Sequence, residues 1–195
     1  MKLSIEQACK WLKENLNEKR YQHSLGTAEC AKKLAQQFGL NEEKAYVAGL
    51  LHDCAKCFSD EKLLEIIDKY LDDIDNDERS NRKTLHAPGS FYVAKTVFGV
   101  SDLEILSSIR WHTLGKSDMT NFEKIIFLAD KIELRTRSEE YRKQITKDLD
   151  SKNGLNKAIL ECYKETIKSL VDRNLKICPL TIQIYNQLQT FLNVN

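Results

Sequence analysis

From Leu25 to Phe38 the apolar residues Leu25, Ala28, Ala31, Leu34, Ala35 and Phe38 recur at intervals of three and four. Residues so spaced stack along one face of an α-helix, so this stretch predicts an amphipathic helix with one buried side. The same period recurs along the chain. Alternation of β-branched residues is scarce, and only 2 prolines and 7 glycines interrupt the pattern. Three helix starts carry the S/T-x-x-E/Q capping pattern: Ser4 with Gln7, Ser101 with Glu104, and Thr120 with Glu123. Gly39 and Gly99 stand where two of the helices must stop. The sequence predicts an all-α chain of about eight or nine helices, near residues 4–17, 20–38, 42–53, 60–71, 87–98, 102–111, 121–134, 153–173 and 179–192. With 195 residues, no internal repeat and no low-complexity tract, residues 1–195 read as a single domain large enough to bury a core.

Two stretches fall outside the helical pattern. The segment DDIDNDERSNR, 72–82, reads as a solvated, charge-rich connector, and RTRSEEYRKQ, 135–144, as a linker or a loop over a site. With 30 basic and 29 acidic residues the chain has no basic face suited to a phosphate backbone, so a nucleic-acid polymer is not expected as a partner. The start MKLSIEQACKWLKENL is too charged for a signal peptide, and no apolar run reaches membrane-spanning length; a cytoplasmic protein without a membrane partner is expected. Six irregularly spaced cysteines then read as reduced thiols, and Cys54 and Cys57 lack the further ligands that a zinc knuckle needs.

The chemistry-bearing residues are few and awkwardly placed. All 4 histidines lie beside apolar residues, in RYQHSLG, LLHDCAK, TLHAPGS and IRWHTLG. Asp53 follows Leu50 and Leu51 at the end of a helix, and Asp130 follows five apolar residues, 125–129. Burying an ionised carboxylate costs several kcal/mol unless a partner or a metal compensates it. A lone histidine among leucines is more often a core residue bonded to a carbonyl, but here all the histidines and both carboxylates share one predicament. A single cation would relieve it, because neutral imidazole and carboxylate are both good ligands for iron, manganese or zinc.

His23, then His52-Asp53, then His86, His112 and Asp130 resemble the H…HD…H…H…D order of the HD-domain metal phosphohydrolases. The surrounding words KRYQHSLGTAECAKKLA, AGLLHDCAK, LHAPGS, RWHTLGK, MTNFEKIIFLADKIE and CPLTIQIYNQL are similar to the YqeK-like family, bacterial HD proteins that hydrolyse diadenosine tetraphosphate symmetrically to ADP. The resemblance covers nearly the whole chain. It implies one HD-type helical bundle and a symmetrical bis(5'-nucleosyl)-tetraphosphatase, a metal-dependent phosphoanhydride hydrolase. His23, His52, Asp53 and Asp130 would be the metal ligands, with iron implied and manganese or another transition metal as alternatives. Lys56, His86 and His112 would face the polyphosphate, joined by Gly26 and Thr113 as secondary contacts, and Asp53 would orient the attacking water. After FLAD the family usually carries a proline-containing loop and then an arginine. Here the text is ELRTRSEEY, and either Arg135 or Arg137 fills that role. The implied partner is a dinucleoside polyphosphate or an ADP-like nucleotide; a homodimer is left open. The alternatives are an HD nucleotidase or phosphodiesterase acting on another nucleotide, and a metal- or nucleotide-binding regulatory module without turnover. No GYP signature accompanies the HD pair, which argues against a cyclic-dinucleotide phosphodiesterase.

Overall fold

The computed structural model describes residues 2–72, 74–81 and 83–194. All regular structure among them is helical: α1 (Ile5–Asn15), α2 (Glu18–Gln37), α3 (Glu42–Leu51), α4 (Asp60–Tyr70), α5 (Asn76–Ser80), α6 (His86–Thr96), α7 (Leu103–Trp111), α8 (Asn121–Ile132), α9 (Glu139–Thr146), α10 (Gly154–Asp172) and α11 (Pro179–Val194). A 3₁₀ turn, Cys54–Cys57, follows α3. No helix among the described residues is long and apolar enough to cross a membrane.

Among the described residues eleven helices replace the eight or nine expected, and the two additional ones lie in the charged stretches read as loops. Helix α5 falls within the connector 72–82, of which positions 73 and 82 lie outside the described residues. The Asp75 side chain caps it by accepting from Glu78 N, Asp77 and Glu78 occupy its first turn and Arg79 its last. Helix α9 starts the same way, with Ser138 as cap and Glu139 and Glu140 next. Acidic side chains near the exposed N–H groups and basic ones near the exposed carbonyls stabilise a helix through its dipole, so a charge-rich segment can be a capped helix rather than a loop. The Ser4 and Thr120 capping boxes form as expected. Helix α7 is instead capped by Asp102, one residue after Ser101, whose carboxylate accepts from both Glu104 N and Ile105 N. An ionised carboxylate reaching two N–H groups is the stronger cap.

Helix α8 is the axis of the fold. Ile125, Ile126, Phe127, Leu128 and Ala129 are all buried, so it is covered on every side, by α2, α3, α7, α9 and α10. The run that opened the sequence reading supplies one of those covers: Ala28, Ala31, Leu34 and Ala35 of α2 are buried between α3 and α8. Small residues let α2 and α3 approach closely. A Cβ at Gly49 of α3 would lie 2.8 Å from Thr27 O and 2.9 Å from Ala28 Cα, so this crossing admits only glycine.

The connector is also tied down through a buried ion pair. Arg110 of α7 donates from both terminal nitrogens to the Glu78 carboxylate of α5, at 2.7 Å each, and both side chains are buried. Arg110 also lies over the Trp111 ring, 4.1 Å from its centroid. Glu78→Ala is expected to cost about 3–5 kcal/mol in urea unfolding, because it leaves the Arg110 charge buried without a partner. Glu78→Leu combined with Arg110→Met should recover much of that loss. A single-variant loss below about 1 kcal/mol, the range of a surface pair, would mean that α5 is not anchored through this contact.

Candidate metal centre

Two histidines are placed by the same device. Helices α3 and α7 end at Leu51 and Trp111, and the next residue of each, His52 and His112, is the helical C-cap. The last carbonyls of a helix have no partner within it. His52 Nδ1–H donates to Gly49 O and His112 Nδ1–H to Ile109 O, each at 2.7 Å. That bond keeps a proton on Nδ1 and turns Nε2 of both rings inward. Asp53 then sits at the bend between α3 and the 3₁₀ turn, with φ −109° and ψ 14°. His52 and Asp53 therefore lie at the helix end rather than within a helix running to residue 53.

His23 comes from the middle of α2 and Asp130 from the end of α8. His23 Nε2 lies 2.9 Å from Asp130 Oδ1 and 3.3 Å from His52 Nε2, and His52 Nε2 is 3.8 Å from the same Asp130 oxygen. On the other side, His86 Nε2 and His112 Nε2 are each 3.3 Å from Asp53 Oδ1 and 3.2 Å from one another, while His52 Nε2 is 3.5 Å from Asp53 Oδ2. Thr113 joins them, its hydroxyl 2.9 Å from His112 Nε2 and 3.0 Å from His86 Nε2. All four histidines and both awkward aspartates thus meet in one buried cluster.

The electrostatics follow from burial and neighbours. Burial pushes the His52 pKa down to about 3, the nearby Asp53 charge offsetting only part of it. Burial also takes His86 well below its ordinary value against the pull of Asp53, so both rings are neutral. For His23 burial also acts downward, but the bonds to Asp130 and Glu133 outweigh it and raise the pKa to about 9. Burial works against ionisation of Asp53 and Asp130; the facing His52, His112, His86 and Lys56 for the first, and Lys131, His23 and His52 for the second, hold both well below the usual carboxylate range.

These donors fit a divalent cation. Ligand atoms of His23, His52 and Asp130, and those of His52, Asp53 and His112, lie within 4.8 Å of one another in each group. Both Asp53 carboxylate oxygens are buried without a well-formed hydrogen bond. Lys56 Nζ lies 2.9 Å from Oδ2, but its angle is poor for a hydrogen bond, so the contact supplies charge rather than direction. An orphaned buried carboxylate among imidazoles is what a cation would satisfy.

The remaining expected residues separate. Lys56 reaches the cluster through Asp53. Arg135 does not reach it through its guanidinium, which is held by Glu29 and Gln22; Arg137 does, donating from Nε to Asp130 O and from Nη2 to Asp130 Oδ1, 3.0 Å each. Gly26 sits beneath the Glu133 carboxylate, where a Cβ would collide with it. Sequence reasoning missed Glu133 and Lys131. Glu133 accepts from His23 Nδ1 at 3.1 Å, orienting that ring, and its burial is outweighed by His23 and Thr136, which hold its pKa near 2. Lys131 Nζ lies 2.8 Å from Asp130 Oδ2. The available signal was the DKIE spacing, which puts Glu133 one turn beyond Asp130.

The HD-domain family model matches residues 20–135, the span that contains every residue of the cluster. The chain belongs to the HD-domain family. A bis(5'-nucleosyl)-tetraphosphatase, symmetrical, of Halalkalibacterium halodurans is 38% identical over 186 residues, covering 93% of this chain and 95% of that one. A protein of the same name from Bacillus subtilis is 35% identical over 194 residues, covering 95% and 98%. A crystal structure from Clostridium acetobutylicum, described as a "predicted HD superfamily hydrolase involved in NAD metabolism", superimposes with a TM-score of 0.90 at 35% identity over 97% of this chain.

Asp130→Asn is expected to reduce metal content at least about tenfold, measured by elemental analysis of the purified protein, since an amide is a poorer ligand and balances no charge. Wild-type metal content in that variant would remove Asp130 from the ligand set.

Proposed function

We propose that the protein hydrolyses diadenosine tetraphosphate symmetrically, releasing two ADP, with His23, His52, Asp53 and Asp130 holding a divalent metal, iron by family resemblance or else manganese or another transition metal. What carries the reading is the convergence of four histidines with Asp53 and Asp130 in a chain that aligns almost end to end with relatives bearing the symmetrical tetraphosphatase name. What such an ion supplies when bound is a water acidic enough to ionise near pH 7, roughly, and positive charge for a phosphoryl oxygen.

The chain's own residues supply the rest. Asp53, fixed at the helix end between His52 and the His86–His112 pair, accepts a hydrogen bond from the attacking water and aims it. Lys56 is partly exposed and sits beside Asp53, where its charge offsets charge developing on the phosphate chain. His86 donates from Nε2 to a phosphate oxygen, and His112 and Thr113 hold that ring in place. Water bonds to one inner phosphorus, the central P–O–P bond breaks, and the bridging oxygen departs with the second ADP. Arg137 and Lys131 hold Asp130 ionised, and Glu133 holds His23 in orientation.

Incubated with a panel of dinucleoside polyphosphates, mononucleotides and NAD, metal-loaded protein should convert diadenosine tetraphosphate to ADP alone, and heavy-oxygen water should label one of the two ADP molecules. ATP with AMP as the products would replace symmetrical by asymmetrical cleavage; turnover confined to another nucleotide would favour a different HD phosphohydrolase, and no turnover at all a binding module. His86→Ala and His112→Ala are expected to fold and retain metal while losing about 10²-fold or more in kcat if either ring transfers a proton. Loss of all metal from either variant would move that histidine from the phosphate side to the ligand set.

A further inference from the structure

Helix α9 packs on α8 and α10, and a cavity of about 280 Å³ separates it from α2. The α2 wall is formed by Gly26, Glu29, Cys30 and Lys33, further along the helix from His23, and the opposite wall by residues of α9. Two acids and three cations line the space. Glu139 is paired with Lys143 at 2.7 Å, and Glu29 with Arg135 at 2.6 Å. Lys33 and Arg142 remain, one on each wall, and neither forms an ion pair among the described residues. Arg142 Nε is buried and has no hydrogen-bond partner. The other charged group nearby, the Glu133 carboxylate behind Gly26, is already engaged by His23, Thr136 and Arg135 N–H. Cys30 offers the two cations no negative charge either. Burial and then Glu133 push its thiol up to about 12, although Lys33 and Arg142 both pull the other way.

A guanidinium with a buried, unbonded Nε has given up water without a replacement, a cost that an acceptor in the cavity would remove. The space is smaller than the roughly 300–1,000 Å³ of sites for drug-sized ligands, so the acceptor is a small one. Arginine presents a planar fork that matches two oxygens of one phosphate, and lysine adds a point charge for a third. Ile132 and Leu134 make part of the lining apolar, which weakens screening of the charges. We propose that this cavity binds a tetrahedral phosphate dianion, free or carried by a small phosphomonoester, between Arg142 of α9 and Lys33 of α2. The bound anion ties α9 to α2. The turn between α8 and α9 carries Glu133, which bonds His23, and Arg137, which bonds Asp130, so occupancy steadies two groups that position the cluster. Lys56, His86 and His112 do not line the cavity, which makes it an effector site apart from the phosphate-facing groups. The assignment does not depend on which nucleotide the cluster cleaves.

Inorganic phosphate and glycerol 3-phosphate, titrated by calorimetry into the metal-loaded full chain at constant ionic strength, test the site. Phosphate also meets the metal cluster, so the assignment is read from two variants remote from it, Lys33→Glu and Arg142→Gln. Phosphate affinity should fall at least about tenfold in each, the equivalent of one lost charge-assisted contact, with metal content unchanged. Phosphate should also raise the unfolding temperature of the wild-type protein by more than it raises that of either variant. No phosphate binding by the wild-type protein, or an affinity unchanged in either folded variant, overturns the site. Binding of the inorganic ion alone assigns the cavity to free phosphate, and loss of both ligands in the variants extends it to the phosphomonoester. If circular dichroism shows Arg142→Gln unfolded, Lys33→Glu decides alone, since its side chain is exposed on α2 and bears no packing role: an unchanged affinity there overturns the assignment.

Discussion

The constraint on which the structure depends is the burial of Asp53, Asp130 and Glu133 close together in a bundle whose core is mostly apolar. Each would cost several kcal/mol if left alone. The fold answers with cations and donors from separate elements: Lys56 beside Asp53, Lys131 and Arg137 on Asp130, and His23 bridging Asp130 and Glu133. Asp53 is left least satisfied, with both oxygens short of a proper hydrogen bond. Strain of that kind persists where the surroundings over-determine it and where a ligand relieves it. The half-satisfied carboxylate is thus the link between packing and chemistry.

Backbone geometry prepares the histidines for that role. Every helix ends with carbonyls that lack partners, and here two of those carbonyls are taken by His52 and His112, each through Nδ1. One bond completes the helix end, keeps a proton on Nδ1 and turns Nε2 toward the centre. Gly49 does double service, since its carbonyl takes His52 and its missing Cβ lets α3 approach α2 closely enough for His23 to face His52. Changes to that helix crossing would therefore act on the cluster without touching a cluster residue.

The charged connector is tied to the helix that leads into the cluster. Through Glu78 and Arg110 it is fastened to α7, the helix that His112 caps and Thr113 follows. The segment that carries α5 and the end of α7 are consequently held together by one buried ion pair.

Much of this was legible in the residues. Periodicity of three and four fixes the helical class because only an α-helix puts such positions on one face, and capping residues mark most starts to within a residue or two. His23, His52, Asp53, His86, His112 and Asp130 stood out since a charge or imidazole inside an apolar run is costly enough to demand a reason. Helix α5 and helix α9 were not legible, because charges that cap a helix and charges that solvate a loop look the same in one dimension. Neither was the choice of Arg137 over Arg135, nor the role of Glu133: both depend on how the chain turns after α8, and a difference of two residues there decides which guanidinium reaches Asp130. Local sequence determined the helices and named the residues that needed partners. Which partners they found was decided by tertiary packing alone, since His23 and Glu133 lie 110 residues apart and no local interaction relates them.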